Sequence, residues 1–148
     1  MDKRVLTIQD ISCVGQCSLT VALPIISACG IETAILPSSV LSNHTAKGYS
    51  GWTFCDLTDE MPKILERWQK ENIDFSAFYT GYVSKSQIPH ILDIMEKTAR
   101  PNALKVVDPA MADNGKLYAG FDDDFPNEMK KLCAKADVLI PNLTEASL

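Results

Sequence analysis

The sequence predicts an α/β domain built on a doubly wound, mostly parallel sheet. Apolar runs rich in β-branched and aromatic residues recur along the chain, and each is short enough to be a buried strand. Between them lie longer segments with helical spacing or helix-start signals. Strands and helices that alternate in this way usually form a parallel sheet with helices on both faces. The predicted strands cover residues 5–9, 33–37, 75–79, 104–107 and 137–140, and the predicted helices cover residues 16–29, 59–72, 84–100 and 122–135.

Proline positions and apolar spacing characterise the first two helices. Pro24 lies inside the first and predicts either a kink or a late start, and the sequence leaves both open. The second begins at Thr58 or Asp59, so Pro62 falls in the first turn, where its missing N–H breaks no helical bond. Apolar residues at three- and four-residue spacing mark the side that faces the core: Ile64, Leu65 and Trp68.

The third and fourth helices have polar start signals. Ser84 and Gln87 have the spacing of a capping box, and Pro89 favours a start near Ser86 for the reason that applies to Pro62. The acidic run at residues 122–124 predicts a solvated start for the fourth helix. After the last strand, residues 141–148 open a further helix and stop, so we expect the fold to continue in a longer parent chain.

The composition is that of a globular domain without a nucleic-acid or membrane surface. Hydrophobic residues make up 46% and charged residues 22% of the 148, and the formal net charge is -5. Surfaces for nucleic acid or anionic lipid need clustered Lys and Arg. No apolar run approaches the roughly 20 residues of a transmembrane helix. We expect a cytoplasmic protein with a small-molecule ligand, and residues 1–148 show no linker that would divide one domain.

The five cysteines indicate neither a disulfide framework nor a zinc site. Their number is odd, and no C-x-x-C pair occurs. Free cysteine packs as a small hydrophobic side chain, so we expect reduced thiols within the structure. They are Cys13, Cys17, Cys29, Cys55 and Cys133.

Polar residues follow every predicted strand. Ligands in open α/β sheets bind outside the carboxyl ends of the strands, so these segments should meet at one edge. Small polar residues beside Gly or Pro are also ordinary turn formers, but the convergence of all the segments favours a binding site. The segments are residues 9–12, 38–45, 80–82, 108–111 and 141–145.

Two acidic residues at this edge are candidates for a metal site. Asp108 and Glu145 could hold Mg²⁺ directly or through its waters, which would imply a nucleotide phosphate nearby. The alternatives are an Asp-Pro turn for Asp108 and an acidic first-turn residue for Glu145. Asn142 is likewise a possible N-cap. His44 lies in a long polar loop, where it could bind a ligand hydroxyl or ring nitrogen.

Two common nucleotide motifs are absent from the sequence. There is no G-x-x-x-x-G-K-[ST] loop, and no G-x-G-x-x-G follows the first strand. A Walker-type site and a dinucleotide site are therefore unsupported.

The strand-end loops resemble those of pyridoxal and pyridoxamine kinases, the vitamin B6 kinases of the ribokinase-like superfamily, over the whole chain. The segment at residues 42–45 (Ser-Asn-His-Thr) is fairly specific to B6 kinases, whereas Asp-Pro-x-Met at 108–111 and Pro-Asn-x-x-Glu at 141–145 are shared across the superfamily. Further matching pieces are residues 6–9, 14–15, 51–52, 80–82 and 107–109.

This resemblance implies a ribokinase-like three-layer fold with a mostly parallel central sheet, truncated after about five strands. It implies phosphorylation of the 5′-hydroxymethyl group of pyridoxal, pyridoxine or pyridoxamine with ATP and Mg²⁺, commonly by a homodimer, and leaves a monovalent-cation requirement open. The residues implied to face the pyridine ring are Asp10, Ser12, His44, Thr45 and Tyr82, and those implied to face ATP and its Mg²⁺ are Asp108, Asn142 and Glu145, with Asp108 and Glu145 on the metal.

The family's general base, an Asp in a G-x-G-D segment, has no match in this sequence. We therefore expect no catalytic residue within the chain, a base located beyond Leu148, and an inactive fragment. Asp10, Thr80 and Ala112 depart from the residues usual in the family, and a carboxylate at position 10 could favour an amine-bearing substrate. Two other readings stay open: a hydroxymethylpyrimidine (phosphate) kinase of thiamine synthesis, against which the loop at 42–45 argues, and a non-catalytic ligand-binding fragment.

Overall fold

A computed structural model describes residues 3–45 and 48–148 and confirms the α/β class. The described part holds strands and helices in alternation, with short 3₁₀ turns before α2 and α3. The strands are β1 (Arg4–Ser12), β2 (Glu32–Leu41), β3 (Phe54–Asp56), β4 (Phe75–Thr80), β5 (Ala99–Val107), β6 (Ala112–Asp113), β7 (Lys116–Leu117) and β8 (Val138–Leu139). The helices are α1 (Leu19–Ala28), α2 (Met61–Lys70), α3 (Ile88–Thr98), α4 (Phe125–Cys133) and α5 (Leu143–Ala146).

The central sheet has the strand order β3-β2-β1-β4-β5-β8. Strand β3 runs antiparallel to β2, and every other pair in this sheet is parallel. Strands β6 and β7 form a separate antiparallel hairpin. The sheet therefore has six strands where the sequence predicts five. Strand β3 was missed because it is only three residues long and exposed, so it has no apolar periodicity.

Helices cover both faces of the sheet, as predicted. Helix α1 packs on β1 and β2, whereas α2, α3 and α4 pack on one another and enclose the main core. The general preference for right-handed crossovers predicts α1 on the face opposite that layer, because β2 lies on one side of β1 and β4 on the other, and the main core cluster of the described residues contains no residue of α1. Edge-to-face aromatic contacts continue from α2 into the core, with ring centroids 5.2 Å apart for Trp68 and Phe75 and 5.8 Å apart for Phe75 and Phe78.

Strands β1 and β2 extend beyond their predicted carboxyl ends. Asp10 and Ser12, predicted to lie in a loop, are the last part of β1, which pairs with β2 as far as Ser12 and Leu41. The register shifts between Gln9 and Ile11, so one irregularity separates the apolar part of β1 from its polar end. Apolar runs did not predict this extension, because polar residues lie within it.

The predicted starts of the second and third helices agree with the structure, whereas α4 begins at Phe125, directly after the acidic run at 122–124. Pro62 and Pro89 both lie at the first helical positions, and an acidic 3₁₀ turn from Thr58 to Glu60 precedes α2. Helix α1 starts late, at Leu19, yet Pro24 still lies inside it. No helix in the described ranges is long and apolar enough to cross a membrane.

The expectation that the cysteines pack inside the structure is wrong for three of them. Cys13, Cys29 and Cys55 are exposed, and Cys17 and Cys133 are half-buried. All five are free thiols, as predicted. The three exposed residues lie in a loop after β1, at the end of α1 and on the exposed strand β3, where no core layer covers them.

Gln87 joins the start of α3 to the carboxyl end of β2. Its side chain is 1% exposed, and its Oε1 accepts a hydrogen bond from the backbone N–H of Ser84 at 2.9 Å. Its Nε2 donates to the backbone carbonyl of Ser38 at 2.7 Å. The capping residue predicted from local spacing thus also makes a contact 49 positions away in sequence.

We expect Gln87→Ala to lower the free energy of unfolding by about 1–2 kcal/mol, because the part-buried Ser84 N–H loses its partner and the Ser38 carbonyl keeps only the hydrogen bond from the Leu57 N–H. Urea denaturation followed by circular dichroism measures the change. The matched control is Gln69→Ala, an exposed glutamine of α2, which should change stability by less than about 0.5 kcal/mol. Equal losses in both variants would contradict this role for Gln87.

Candidate functional site

A cleft of about 1580 Å³ lies at the carboxyl ends of β1, β2, β4 and β5. Strands β1 and β4 are neighbours, but the chain leaves β1 toward β2 and leaves β4 toward β5. Adjacent strands whose connections run in opposite directions leave a crevice between their carboxyl ends. The cleft occupies this topological switch point.

Six of the eight residues implied by the family resemblance line this one cleft. Four elements deliver them: β1, the segment after β2, the segment after β4 and the segment after β5. They are Asp10, Ser12, His44, Thr45, Tyr82 and Asp108.

One wall is formed by Asp10, Ser12 and Tyr82. Asp10 is 6% exposed, and Ser12 Oγ donates a hydrogen bond to its Oδ2 at 3.3 Å. Burial raises the pKa of the Tyr82 phenol, and the negative charges of Asp10 and Asp56 raise it further. Tyr82 therefore stays protonated at neutral pH and presents a hydroxyl donor.

The His44 imidazole packs directly against Gly15. A Cβ at position 15 would overlap the imidazole ring, and Gly15 has a φ of +92°, which side chains rarely adopt. The His44 backbone N–H donates to the Val14 carbonyl at 3.0 Å, and its ring meets Tyr49 edge to face at 5.0 Å. These contacts set the position of His44, while Thr45 beside it is exposed.

Asp108 lies at the carboxyl end of β5 with an unusually high proton affinity. Burial raises the pKa of its carboxyl group to about 6, and the charge of Glu145 contributes. No described residue donates a hydrogen bond to its carboxylate, whereas its backbone N–H donates to the Thr80 carbonyl at 3.1 Å. The carboxylate is thus fixed through its backbone and free to bind a ligand.

Asn142 and Glu145 do not line the cleft but form a reciprocal cap at the start of α5. The Glu145 N–H donates to Asn142 Oδ1 at 3.0 Å, and Glu145 Oε2 accepts from the Asn142 N–H at 2.9 Å. Glu145 Oε1 accepts from the Met111 N–H at 3.1 Å, and Asn142 Nδ2 donates to the Ala112 carbonyl at 2.7 Å. Both side chains therefore bind backbone, in line with the alternatives that the sequence left open: an N-cap for Asn142 and an acidic first-turn residue for Glu145.

Several cleft residues were missed by the sequence reasoning. Tyr79 was treated as the end of a buried strand, but its phenol faces the cleft, where burial and Asp108 raise its pKa. Phe121 was also missed; its ring stacks on that of Tyr82, with the ring centroids 5.3 Å apart. Trp52 and Lys85 also line the cleft. Sequence signals existed for Tyr79, which immediately precedes the polar segment at 80–82, and for Trp52, which lies in the matching segment at 51–52.

The cleft is acidic. Among the described lining residues, five aspartates face a single lysine. That lysine, Lys85, is already paired with Asp124 at 2.6 Å and lies 3.5 Å from Asp122. Of the other carboxylates of the wall, those of Asp10, Asp56 and Asp108 favour ligands that bring positive charge, whereas both oxygens of Asp113 accept hydrogen bonds from Asn114.

Comparison with known proteins finds curated relatives of a single kind. No family model matches the chain. The pyridoxal kinase of Dictyostelium discoideum is 32% identical over 153 residues, which covers 98% of this chain and 49% of the relative. This chain is related to the pyridoxal kinases. It spans about half the length of the curated pyridoxal kinases it matches.

Solved structures of the same fold support the relationship. A Bacteroides thetaiotaomicron protein described as a phosphomethylpyrimidine kinase and crystallised with pyridoxal is 46% identical, with a TM-score of 0.92 over 98% of this chain and 50% of that chain. Pyridoxal kinase from Lactobacillus plantarum is 37% identical, with a TM-score of 0.90 over 98% and 51%. Pyridoxal kinase from Leishmania donovani in complex with ADP and pyridoxamine is 26% identical, with a TM-score of 0.80 over 99% and 52%. The chain therefore has the ribokinase-like fold of these kinases.

We expect Asp108→Asn to stabilise the chain at pH 7 and to have little effect below about pH 4. The carboxyl pKa is about 6 in the fold against an ordinary 3.8, so between these values the folded chain holds a proton that the unfolded chain has released. Stability therefore falls as pH rises through that window, and the neutral Asn avoids this loss. The half-buried position limits the gain to about 1 kcal/mol.

Thermal unfolding midpoints between pH 4 and pH 7.5 measure this effect. Asp123→Asn is the control, because Asp123 is exposed. The Asp108→Asn curve should separate from the parent as pH rises, while the control stays parallel to it. A constant offset at all pH values would show that Asp108 is not destabilised by its charge.

Proposed function

We propose that this chain forms the vitamin B6 pocket of an ATP-dependent kinase site that phosphorylates the 5′-hydroxymethyl group of pyridoxal, pyridoxine or pyridoxamine. The observation that carries the proposal is the cleft at the β1–β4 switch point. It brings together, from separate strands, six of the residues that the resemblance to B6 kinases implies. Similarity to pyridoxal kinases along 98% of the chain supports the same activity class.

The size of the cleft suits two ligands side by side. Sites for one small ligand usually measure about 300–1,000 Å³, and this cleft is larger, at about 1580 Å³. The Leishmania donovani kinase, a neighbour in fold, binds ADP and pyridoxamine together. The wall with Asp10, Ser12 and Tyr82 would hold the pyridine ring, and the end with Asp108 would hold the nucleotide phosphates.

On the vitamer side, the chain offers donors and acceptors in fixed positions. Ser12 and His44 would hydrogen-bond the ring substituents, with Thr45 beside them. The protonated phenol of Tyr82 would donate to a ring oxygen or pack its face on the ring. Because Gly15 lets the imidazole of His44 approach closely, the vitamer would meet a preformed surface, which reduces the ordering cost of binding.

On the nucleotide side, Asp108 fits a magnesium-bound phosphate. Its carboxylate is free of hydrogen bonds from the described residues and is destabilised by burial and by Glu145, so a divalent cation would relieve both effects. Mg²⁺ there would neutralise charge on the transferring phosphoryl group. Glu145 would act on the metal through water and, with Asn142, would hold the Met111–Ala112 segment, because its oxygens already accept backbone N–H groups.

Catalysis needs a base that this sequence does not supply in the G-x-G-D form of the family. We propose that the chain binds and orients the vitamer without transferring phosphate by itself. Incubation with MgATP and pyridoxal, followed by chromatographic detection of pyridoxal 5′-phosphate, tests this. Product formed in proportion to chain concentration would contradict it.

A second candidate substrate is hydroxymethylpyrimidine or its phosphate. The observation that favours it is the 46% identity to the Bacteroides thetaiotaomicron protein described as a phosphomethylpyrimidine kinase. That protein was nevertheless crystallised with pyridoxal, and the loop at residues 42–45 favours the B6 vitamers. Competition between pyridoxal and hydroxymethylpyrimidine for this chain separates the two, and tighter binding of the pyrimidine would overturn the B6 assignment.

We expect pyridoxal to change the fluorescence of Trp52 on binding. Trp52 is 43% exposed and lines the cleft, whereas the other tryptophan, Trp68, packs against the core at Phe75.

His44→Ala should weaken pyridoxal binding about tenfold, equivalent to about 1.4 kcal/mol or one polar contact. His90→Ala on α3 is the matched control and should bind like the parent. Trp52→Phe should abolish the signal, and equal affinities for the two histidine variants would contradict the role of His44.

A further inference from the structure

Asp10 is a buried carboxylate without a countercharge. It is 6% exposed at the end of β1, and its one hydrogen bond from the described residues comes from the neutral hydroxyl of Ser12, at 3.3 Å to Oδ2. Within residues 3–45 and 48–148, no Lys or Arg side chain forms an ion pair with it. Oδ1 has no protein donor in the same ranges.

Such an arrangement is costly for folding alone. Burial of an ionised carboxylate is unfavourable unless a cation or several hydrogen bonds compensate it. Lys85, the lysine of the cleft wall, cannot serve, because Asp124 and Asp122 hold it. The compensating positive charge would therefore have to come from the ligand, since Asp10 itself lines the cleft.

The surroundings of Asp10 strengthen this requirement. Tyr82, the neighbouring aromatic group, has a phenol whose pKa is raised by burial and then by Asp10 and Asp56, so it stays neutral and does not compensate the Asp10 charge. The flat Tyr82–Phe121 stack beside it suits an aromatic ring. A ring that carries an ammonium group would satisfy both the stack and the carboxylate.

We infer that Asp10 is a specificity determinant that binds a positively charged aminomethyl substituent of the substrate. This inference rests on the proposed function and names the vitamer that the site prefers, pyridoxamine. Pyridoxine is the neutral counterpart, because it carries a hydroxymethyl group where pyridoxamine carries the ammonium group. The two ligands share the ring and the 5′-hydroxymethyl group, so the ratio of their affinities isolates the contribution of the charge.

The experiment measures the dissociation constants of pyridoxamine and pyridoxine, without ATP, for the parent chain, Asp10→Asn and Asp113→Asn. Asn keeps the shape of Asp and can still accept a hydrogen bond from Ser12, but it has no charge. Asp113, which also lines the cleft, is the matched control for the loss of one negative charge. Binding of pyridoxine to each variant also shows that its pocket is folded.

We expect the parent to bind pyridoxamine more tightly than pyridoxine, and Asp10→Asn to lose at least about tenfold in pyridoxamine affinity with pyridoxine little changed. Asp113→Asn should keep the preference of the parent. Equal changes for both vitamers in Asp10→Asn, or the same selective loss in Asp113→Asn, would overturn the inference. If neither vitamer binds the parent chain, the proposed function itself fails, which is a different result from binding without selectivity.

Discussion

The side-by-side arrangement of β1 and β4 is the constraint on which the site depends. The two strands are parallel neighbours, yet the chain continues from them to opposite sides of the sheet. No connection can then cover the space beyond their carboxyl ends, and the cleft is the result. The close approach of backbone and side chains there requires Gly15 against His44 and Gly81 against Gln9, where a Cβ would come within 2.9 Å of the Gln9 side chain.

Charge is distributed unevenly along this cleft. Asp10 and Asp108 lie at the ends of β1 and β5; Asp10 is 6% exposed, and burial raises the pKa of Asp108. The two carboxylates differ in their neighbours: Asp10 has a hydroxyl donor, whereas Asp108 has a second carboxylate, that of Glu145. A cleft of this kind gains from a cationic group at one end and a metal ion at the other. This division agrees with a substrate ring and a magnesium-bound phosphate meeting between them.

The cap at the start of α5 contributes to the site without entering it. Glu145 accepts hydrogen bonds from the backbone of Met111 and Asn142, and Asn142 binds the carbonyl of Ala112. These bonds fix the segment that follows Asp108 and keep the Glu145 charge near it. Glu145 could therefore influence the proposed metal at Asp108 through its position and charge while it serves as part of the helix cap.

Local sequence determined much of this molecule. Apolar periodicity gave the strand and helix alternation, Pro62 and Pro89 marked helix starts, and Gln87 was correctly predicted as a capping residue, because each depends on neighbours within about four positions. Tertiary structure alone decided that β1 extends through Asp10 to Ser12, that β3 joins the sheet, and that three cysteines are exposed. It also decided that Glu145 binds Met111, 34 residues away, and that Tyr79 faces the cleft. Such contacts join segments that are distant in sequence and meet only in the folded sheet. Periodicity along the chain therefore cannot predict them.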